Sequence, residues 1–557
     1  MQTEAVKEVL KRFGHSEFRE GQLAPIEAVL RGEDALVVMP TGAGKSLCYQ
    51  VAALLMPGTT LVISPLIALM KDQVDALERN GVAATLINST VGRTEMARRI
   101  KGMREGAYRL VYVAPERFRS AEFRAALEKT KLSMVTIDEA HCISQWGHDF
   151  RPDYLDIGGI VAQFKDVRVM ALTATATDAV RADIIGQLHL GEAPRRPPFV
   201  EVLGFSRPNL RIAVTNCSRK AHKLERTLDV IRRLKNGIVY VSTRKHAQEV
   251  YEALLKSVPR SSGVEVMMYH AAMLEAERTK VQCAFRSAKH PVVVATTAFG
   301  MGIDRADVRF VVHWDVPGGI EQYYQEIGRA GRDGEPAVCE LLFSYADVKV
   351  QEYFVDGANP DTETALKVWH AFRGWGSQVV EFDSATFAQS LAIRNGIAVS
   401  TAVNVLANAG FLCRADGRRP GAYMVSDGVT DEQVRELFDA RREKFYRDRR
   451  RLRRMIDFAY HDGCRHAFIL DYFGDQSPTR VCGGCDNCER GRVLARTTEV
   501  VRCHSPIIEK VGVPSGSRLD SAIREGRIAP ELVAGAVTRG SDFSFAVQRR
   551  SDARMTG

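Results

Sequence analysis

The stretch Met39-Pro40-Thr41-Gly42-Ala43-Gly44-Lys45-Ser46 determines how the rest of the chain is interpreted. It follows the apolar run ALVVMP (35–40), which predicts a buried strand, and it precedes a helical pattern. Glycines allow backbone N–H groups to wrap around phosphate oxygens at the start of a helix, while Lys45 can reach the β- and γ-phosphates and Ser46 can hold Mg²⁺. The stretch therefore predicts a nucleotide phosphate loop. Its predicted binding set is Thr41, Gly42, Ala43, Gly44, Lys45 and Ser46.

Further apolar runs extend this pattern along the chain. The runs TLVISP (60–65), RLVYVAP (109–115), MVTIDEA (134–140) and VMALTAT (169–175) alternate with helical stretches. Continuous apolar strands separated by helices are typical of a doubly wound parallel sheet. A Pro-rich segment marks a boundary at 193–198, and the alternation resumes with runs at 237–243, 265–270, 291–297 and 309–317. We therefore predict an α/β fold with two tandem P-loop lobes, at 1–205 and 206–355.

Length and composition exclude several classes of protein. The chain has 557 residues, enough for three or four domains at ~150 residues each. No apolar run approaches the ~18 residues of a membrane span, and the amino terminus lacks the apolar centre of a secretory signal. We therefore exclude a membrane protein and expect a cytoplasmic location, nucleoid-associated if the source is bacterial. The eleven cysteines are then expected to be reduced.

The pattern changes beyond the second predicted lobe. A helix at 399–408 is followed by two strands around a turn, with breakers at Asp416, Gly417 and Gly421. This outline predicts a winged-helix insert at 361–428, and an unrelated α+β insert is the alternative. Apolar residues spaced three, four and seven apart between Val434 and Ala459 then predict one helix or a helix pair. From 491 to 557 the chain has few aromatic residues and no clear period, which predicts a partly disordered tail.

Four of the cysteines form a late cluster. Cys464 is followed, after seventeen residues, by Cys482, Cys485 and Cys488 in two overlapping C-x₂-C pairs. Four thiolates can close a tetrahedron around Zn²⁺, which is the pattern of a structural rather than a catalytic metal. An iron–sulfur cluster uses the same ligands and is the alternative. We predict a helical zinc-binding module at 431–490.

Two further motifs supply groups that nucleotide hydrolysis needs. Asp138-Glu139-Ala140-His141 ends a predicted strand, where Asp138 can hold Mg²⁺, Glu139 can polarise the attacking water and His141 can couple the site to other elements. Charge building on the γ-phosphate also needs a cation. Arg329 and Arg332, in QEIGRAGRDG (325–334), are predicted to share one helical face of the second lobe and to reach across the cleft as arginine fingers.

The run DEAHCISQWGHDFRP (138–152) resembles the RecQ helicases. The segments FREGQ (18–22), MPTGAGKSLCYQ (39–50), SPLIALMKDQV (64–74), ALTATAT (171–177) and ATTAFGMGID (295–304) resemble further motifs of that family, in the family's order. The resemblance is dense from 13 to 345 and resumes at Cys464-Arg465, YFGD (472–475) and CGGCDNC (482–488). It implies RecA-like lobes, zinc at the cysteines, and an ATP- and Mg²⁺-dependent helicase that moves 3′ to 5′ on single-stranded DNA.

The resemblance also implies roles for individual residues. Arg19 and Gln22 would contact the adenine, and Asp304 joins the nucleotide-binding set; His15 stands where many relatives have Tyr. Contacts with single-stranded DNA would come from Trp146, His148, Phe150 and Arg151, since aromatic rings stack on unpaired bases. Forked or junction DNA, a single-strand-binding protein and recombination factors are the implied partners of a monomer acting in DNA repair and recombination.

The chain departs from the family where the winged helix stands before the cysteines. Most relatives run almost directly from the arginine fingers to the zinc helices and carry the winged helix afterwards. Arg418 and Arg419, at the tip of the predicted hairpin, are candidates for splitting the duplex, and a solvated turn is the alternative.

The net charge of +9 is concentrated in one segment. Residues 441–454 hold nine Lys or Arg and two acids, on a predicted helix just before the cysteines. We interpret Arg449 and Arg450 as part of a track for the DNA backbone, with a solvated helix face as the alternative.

Two other functions are compatible with parts of this pattern. An RNA helicase of the same superfamily shares the phosphate loop and acidic box, but the aromatic loop and the four cysteines favour DNA. A non-catalytic DNA-binding regulator predicts loss of Lys45, Glu139 or Arg329, and all three are present.

Overall fold

The first lobe is built around the strand that precedes the phosphate loop. The structure is a computed structural model that describes residues 2–65, 67–144, 147, 154–164, 166–193, 196–300, 305–375, 379–414, 421–475 and 481–491. The strands of this lobe are β1 (Ala35–Val38), β2 (Thr59–Ile63), β3 (Ala84–Ile87), β4 (Leu110–Val113), β5 (Leu132–Ile137), β6 (Arg168–Thr173) and β7 (Phe199–Val202). Its helices are α1 (Gln2–Arg12), α2 (Leu23–Leu30), α3 (Lys45–Leu55), α4 (Ile67–Arg79), α5 (Arg93–Arg104), α6 (Ala121–Glu128), α7 (Leu155–Val161) and α8 (Asp178–Gln187).

These strands form one parallel sheet in the order β3-β4-β2-β5-β6-β1-β7. Successive side chains of a strand point to opposite faces. In β1, Leu36 and Val38 enter one apolar core while Ala35 and Val37 enter another. Both faces are therefore covered, which explains why the strands are apolar without alternation.

The second lobe repeats this architecture. Its strands are β8 (Leu210–Asn216), β9 (Gly237–Tyr240), β10 (Glu265–Tyr269), β11 (Pro291–Ala295), β12 (Phe310–His313) and β13 (Ala337–Phe343). Its helices are α9 (Lys220–Leu234), α10 (Arg244–Ser257), α11 (Glu275–Ser287), α12 (Ile320–Ile327) and α13 (Tyr345–Ala358). The sheet is parallel in the order β10-β11-β9-β12-β13-β8, so β8 lies at an edge. The predicted pair of tandem α/β lobes is confirmed.

A small α+β unit follows the second lobe. Its elements are α14 (Thr362–Gly374), β14 (Val380–Glu381), α15 (Ser384–Ser390), α16 (Gly396–Asn408), β15 (Leu412–Arg414) and β16 (Ala422–Val425). The three strands form an antiparallel sheet in the order β14-β16-β15. The helix and two following strands that the sequence predicts correspond to α16, β15 and β16, while α14, β14 and α15 were not predicted. Trp369, Phe372 and Leu406 lie in the core of the unit. Arg418 and Arg419, at the tip of the hairpin, lie outside the described residues.

The final described segment contains α17 (Asp431–Asp439), α18 (Arg442–Tyr460), α19 (Arg465–Tyr472) and α20 (Asp486–Glu489). The apolar stripe from Val434 onward is thus a helix pair rather than one helix. We call residues 461–491 the zinc module, because they contain the four cysteines. The predicted tail, apart from Gly491, lies outside the described residues. None of the described helices combines the length and apolar character that crossing a membrane requires.

The zinc module covers the exposed edge of the second sheet. Asp486 Oδ2 accepts a hydrogen bond from Val214 N–H on β8 at 3.1 Å, and His466 Nε2 donates to Leu210 O at 2.9 Å. Asp486 also pairs with Arg465 at 3.0 Å, and both side chains are at most 5% exposed. An edge strand presents unpaired backbone groups, so the module satisfies groups that the sheet itself leaves open.

Replacing Asp486 by Ala should therefore destabilise the module and the adjacent edge. The variant leaves the buried Arg465 guanidinium without its carboxylate and the Val214 N–H without its acceptor. Removing one member of a buried ion pair costs about 3–5 kcal/mol. Denaturant titration followed by circular dichroism measures the change. The matched control is Glu489→Ala, which breaks the exposed Arg211–Glu489 pair at 2.5 Å and should cost less than about 1 kcal/mol. Equal stability of the two variants would contradict the assignment.

Candidate nucleotide and metal sites

Two glycines allow the phosphate loop to turn directly into α3. Gly42 and Gly44 adopt φ values of +89° and +83°, and a Cβ on Gly44 would lie 2.5 Å from Gln22 Nε2. Only glycine fits this position without displacing a neighbour. Lys45 begins α3, and its Nζ donates to Met39 O at 3.1 Å. Burial lowers the pKa of Lys45, although the carboxylates of Glu139 and Asp138 oppose that shift.

Asp138 follows β5 directly at the carboxyl edge of the sheet. Its N–H donates to Ile63 O at 2.8 Å, and Ser64 Oγ lies 3.5 Å from its Oδ2. Burial, reinforced by the neighbouring charge of Glu139, raises the pKa of Asp138 to about 7, while Lys45 lowers it. Oxygen donors are the ligands that Mg²⁺ prefers, and Ser46 lines the same cleft as Asp138. The pair therefore fits a Mg²⁺ site.

Glu139 lies in a strained backbone conformation. Its φ of +49° is in the left-handed region, which a residue with a Cβ occupies at a cost. Glu139 Oε2 is buried and makes no hydrogen bond among the described residues, although His141 Nδ1 lies 3.4 Å away. His141 Nδ1 also lies 2.8 Å from Thr173 Oγ1 on β6. A buried carboxylate oxygen without a hydrogen bond, at the edge of the cleft, is suited to hold a water molecule.

Arg329 and Arg332 face the phosphate loop from the second lobe. The sequence predicted them on one helical face, and this is wrong: α12 ends at Ile327, and Gly331 turns the chain with φ +56°. Both arginines lie in the turn that follows, which we call the finger turn (residues 328–334). Arg329 is 9% exposed and its Nη1 donates to Gly300 O. A Cβ on Gly42 would lie 3.4 Å from Cγ of Arg332.

The two lobes thus share one cleft of about 1030 Å³. It is lined by Thr41, Gly42, Gly44, Lys45, Ser46, Asp138, Glu139 and His141 from the first lobe and by Arg329 and Arg332 from the second. Predicted residues that are far apart in sequence are brought together here. Gln325 Nε2 also lies 3.2 Å from Thr175 Oγ1, which joins the lobes beside the cleft.

The two predicted adenine contacts lie against the phosphate loop. Gln22 is 2% exposed, and its Nε2 donates to Ala43 O at 2.9 Å and to Gly44 O at 3.2 Å. Arg19 Nη1 donates to Gly42 O at 2.7 Å, and Arg19 N–H donates to Gln22 Oε1 at 2.9 Å. These bonds connect the amino-terminal segment to the carbonyls of the loop. His15 lines the same cleft.

The four predicted zinc ligands converge. Their Sγ atoms all lie within 4.8 Å of one another, and a tetrahedral zinc site with Zn–S bonds of about 2.3 Å has sulfurs about 3.8 Å apart. Cys464 and Cys485 immediately precede α19 and α20, so the helix starts fix the positions of two ligands. A [4Fe–4S] cluster would place a cube of iron and sulfide between the thiolates and hold them further apart. The geometry fits zinc.

The predicted DNA contacts are only partly described. Trp146, His148, Phe150 and Arg151, together with Asp304 of the nucleotide set, lie outside the described residues. On α18, Arg449 Nη2 pairs with Asp356 at 2.8 Å and its Nη1 lies 3.6 Å from Glu352, both on α13. Part of the positive charge predicted to face DNA therefore joins two helices of the protein. Arg450 is exposed.

Arg207 is a residue of the site that sequence reasoning missed. It lies between the lobes, and its guanidinium donates to Ala330 O at 2.9 Å and to Gly331 O at 3.0 Å. Its Nη1 also lies 3.4 Å from Thr41 O in the phosphate loop. Arg207 stands beside Pro208 just after the predicted boundary and belongs to no motif with a recognisable residue spacing. Its place in the site is therefore visible only in the folded chain.

Three family models match the chain. They are DEAD/DEAH box helicase over residues 19–183, helicase conserved C-terminal domain over 219–334 and RecQ zinc-binding over 423–489. The ATP-dependent DNA helicase RecQ of Bacillus subtilis is 36% identical over 526 residues, which is 92% of this chain and 73% of that protein. The chain belongs to the RecQ family of DNA helicases. The resemblance inferred from the motifs is thus confirmed. The α+β unit predicted to be a winged helix begins after the second match, and its last strand, β16, overlaps the start of the third.

A second relative matches a smaller part of both chains. The RecQ helicase of Pasteurella multocida is 46% identical over 335 residues, 60% of this chain and 51% of that protein. Among solved structures, the helicase MrfA bound to DNA superposes with a TM-score of 0.51 at 19% identity, over 77% of this chain and 63% of that one. The likeness to MrfA shows a shared fold.

Elemental analysis of the purified RecQ-family protein should find about one zinc per chain, because four thiolates complete one tetrahedral site. Chelation of that zinc should lower the first melting transition, since Asp486, which lies between the ligands Cys485 and Cys488, accepts the hydrogen bond from Val214 N–H on β8. Mixing with EDTA, followed by differential scanning calorimetry, measures the shift. Iron in place of zinc, or an unchanged transition, would contradict the assignment.

Proposed function

We propose that this protein couples ATP hydrolysis to 3′–5′ movement along single-stranded DNA and thereby unwinds duplex DNA. The observation that carries the proposal is the shared cleft, in which Lys45, Asp138 and Glu139 of one lobe face Arg329 and Arg332 of the other. A nucleotide bound there would draw the lobes together, and its hydrolysis would release them. The 3′–5′ direction and a role in DNA repair and recombination follow from kinship with the RecQ family.

Each side chain of the cleft has a part in this cycle. Arg19 and Gln22 contact the adenine, and Thr41, Gly42, Ala43 and Gly44 wrap the phosphates with backbone N–H groups. Lys45 holds the β- and γ-phosphates, while Ser46 and Asp138 hold Mg²⁺, which neutralises charge on the phosphates when it is bound. Glu139 orients the attacking water and accepts its proton. His141 links Glu139 to β6 and so to the adjoining motif.

The arginines complete the site only when the lobes are closed. Arg329 and Arg332 stabilise the charge that develops on the γ-phosphate, an effect worth about 10³–10⁵ in rate where such arginines have been studied. Asp304 is placed with the nucleotide set by its motif. Because the arginines belong to the second lobe, hydrolysis requires closure.

DNA contacts belong to the same proposal. Trp146, His148, Phe150 and Arg151 sense single-stranded DNA and couple it to hydrolysis, Arg418 and Arg419 act where the duplex splits, and Arg450 with Arg449 follows the backbone. The working form is a monomer on forked or junction DNA in the cytoplasm, with a single-strand-binding protein or recombination factors as partners. The domain limits are 1–205, 206–355, 361–428, 431–490 and 491–557.

Two alternative functions can be distinguished from this proposal. An RNA helicase would share the cleft, but the RecQ zinc-binding match and the DNA helicase relatives favour DNA. A non-catalytic DNA-binding regulator would have no reason to retain a buried Lys45 opposite an acidic pair and two arginines.

Strand displacement with ATP tests the function directly. We expect unwinding of 3′-tailed and forked DNA, little of 5′-tailed DNA or of an RNA duplex, and none by Lys45→Ala, which loses the phosphate contact. A fluorophore and quencher on the displaced strand measure the rate, and four-way junctions in the same series report the preferred structure. Unwinding from 5′ tails alone would overturn the polarity, and unwinding of RNA alone would favour the first rival. DNA binding without ATP-dependent displacement would favour the second.

A further inference from the structure

A short segment connects the two lobes and contacts elements outside both of its flanking strands. The linker, residues 203–209, connects β7 to β8. It runs between the finger turn on one side and the zinc module on the other. Contacts made by Phe205 and Arg207 account for this placement.

Arg207 joins the linker to two other backbone segments, the finger turn and the phosphate loop. Beyond its bonds to Ala330 O and Gly331 O, its Nη1 lies 3.5 Å from Gly328 O, so the carbonyls on both sides of Arg329 face the same guanidinium. Its contact with Thr41 O crosses to the phosphate loop of the first lobe. Because a guanidinium is a planar fork with fixed donor directions, moving Arg207 moves the finger turn relative to the loop.

Phe205 is held by both backbone groups and by its ring. Its N–H donates to Asp475 Oδ2 at 2.7 Å, and its carbonyl accepts from Tyr324 Oη on α12 at 2.9 Å. Its ring stacks on Phe473 with centroids 4.4 Å apart and planes 12° from parallel. Phe473 and Asp475 belong to the zinc module, so the module grips the linker two residues before Arg207.

The same part of the zinc module also approaches the first lobe. A Cβ on Gly474 would lie 3.2 Å from the carboxylate of Asp178, the first residue of α8. The module is therefore bound to β8 of the second lobe and to the linker, and it lies close to α8 of the first lobe. The zinc module can therefore determine the position of the linker.

We propose that Arg207 is a positioning residue that aligns the arginine fingers with the phosphate loop, and that the zinc module fixes Arg207 by clamping Phe205 with Phe473 and Asp475. This inference rests on the proposed function, because it concerns how that hydrolysis site is assembled. A displacement of about 1 Å at a reacting centre can cost about 10²-fold in rate. The clamp makes the metal module part of the hydrolysis machinery without any contact with nucleotide.

The first test replaces Arg207 by Lys, which keeps the charge and loses the fork. DNA-stimulated ATP hydrolysis should lose about 10-fold to 100-fold in kcat, while the KM for ATP and the affinity for single-stranded DNA stay within about threefold. If the variant still binds one nucleotide per chain, the fall in kcat is not caused by unfolding. The matched control is Arg196→Gln, which changes an arginine with a 72% exposed side chain just before β7 and should leave kcat unchanged.

The second test is a double-mutant cycle between the clamp and Arg207. Asp475→Ala frees the Phe205 N–H and should also lower kcat. Adding it to Arg207→Lys should lower kcat little further, since both changes act through the same linker. The control, Glu489→Ala, removes a contact between the zinc module and the second lobe that does not touch the linker, and its effect should simply add to that of Arg207→Lys.

The outcomes separate this inference from the function on which it rests. A wild-type protein without DNA-stimulated hydrolysis would overturn both. An active wild-type protein with an equally active Arg207→Lys variant, or one whose ATP affinity falls as far as kcat, would overturn the positioning role alone. Additive effects of Asp475→Ala and Arg207→Lys would overturn the clamp.

Discussion

Arg329 and Arg332 can act on a nucleotide only while the second lobe holds them against the phosphate loop of the first. The stabilisation that a guanidinium gives to a developing charge falls steeply with distance and misalignment, and is greatest where water is excluded. Each lobe therefore contributes half of a site that neither can complete. Under the proposed function, this division would make hydrolysis dependent on closure, and closure is the movement that a motor on DNA requires.

The zinc module supports this arrangement from outside the cleft. Cys485 and Cys488 enclose Asp486 and Asn487, so a bound metal would fix the residue that satisfies the open edge of β8 and neutralises buried Arg465. The same module reaches the linker through Phe473 and Asp475. In this RecQ-family chain, a zinc ion held by the four cysteines would thus bear on the position of the arginines from outside the cleft.

Sequence reasoning recovered the elements that carry a local signal. The phosphate loop, the acidic box and the cysteine ligands depend on spacing within a few residues, and the lobes depend on long apolar runs. Four strands of the two lobes were missed: β3 has only two large apolar residues, β7 is a half-exposed edge strand, and the runs of β8 and β13 are interrupted by Arg211 and Glu340. Arg207 was missed because its acceptors are carbonyls brought close by the fold. The finger turn continues the sequence of a predicted helix, but its three glycines follow directly after α12, which ends at Ile327.

The most direct measurement separates ATP binding from ATP turnover in Arg329→Ala and Arg332→Ala. A fluorescent ATP analogue gives the affinity, and single-turnover hydrolysis on single-stranded DNA gives the rate. If the fingers act only on the transition state of a closed cleft, affinity stays within about threefold while the rate falls by about 10³-fold or more in at least one variant. Retained turnover in both variants, or affinity lost in proportion to rate, would contradict a hydrolysis site divided between the lobes.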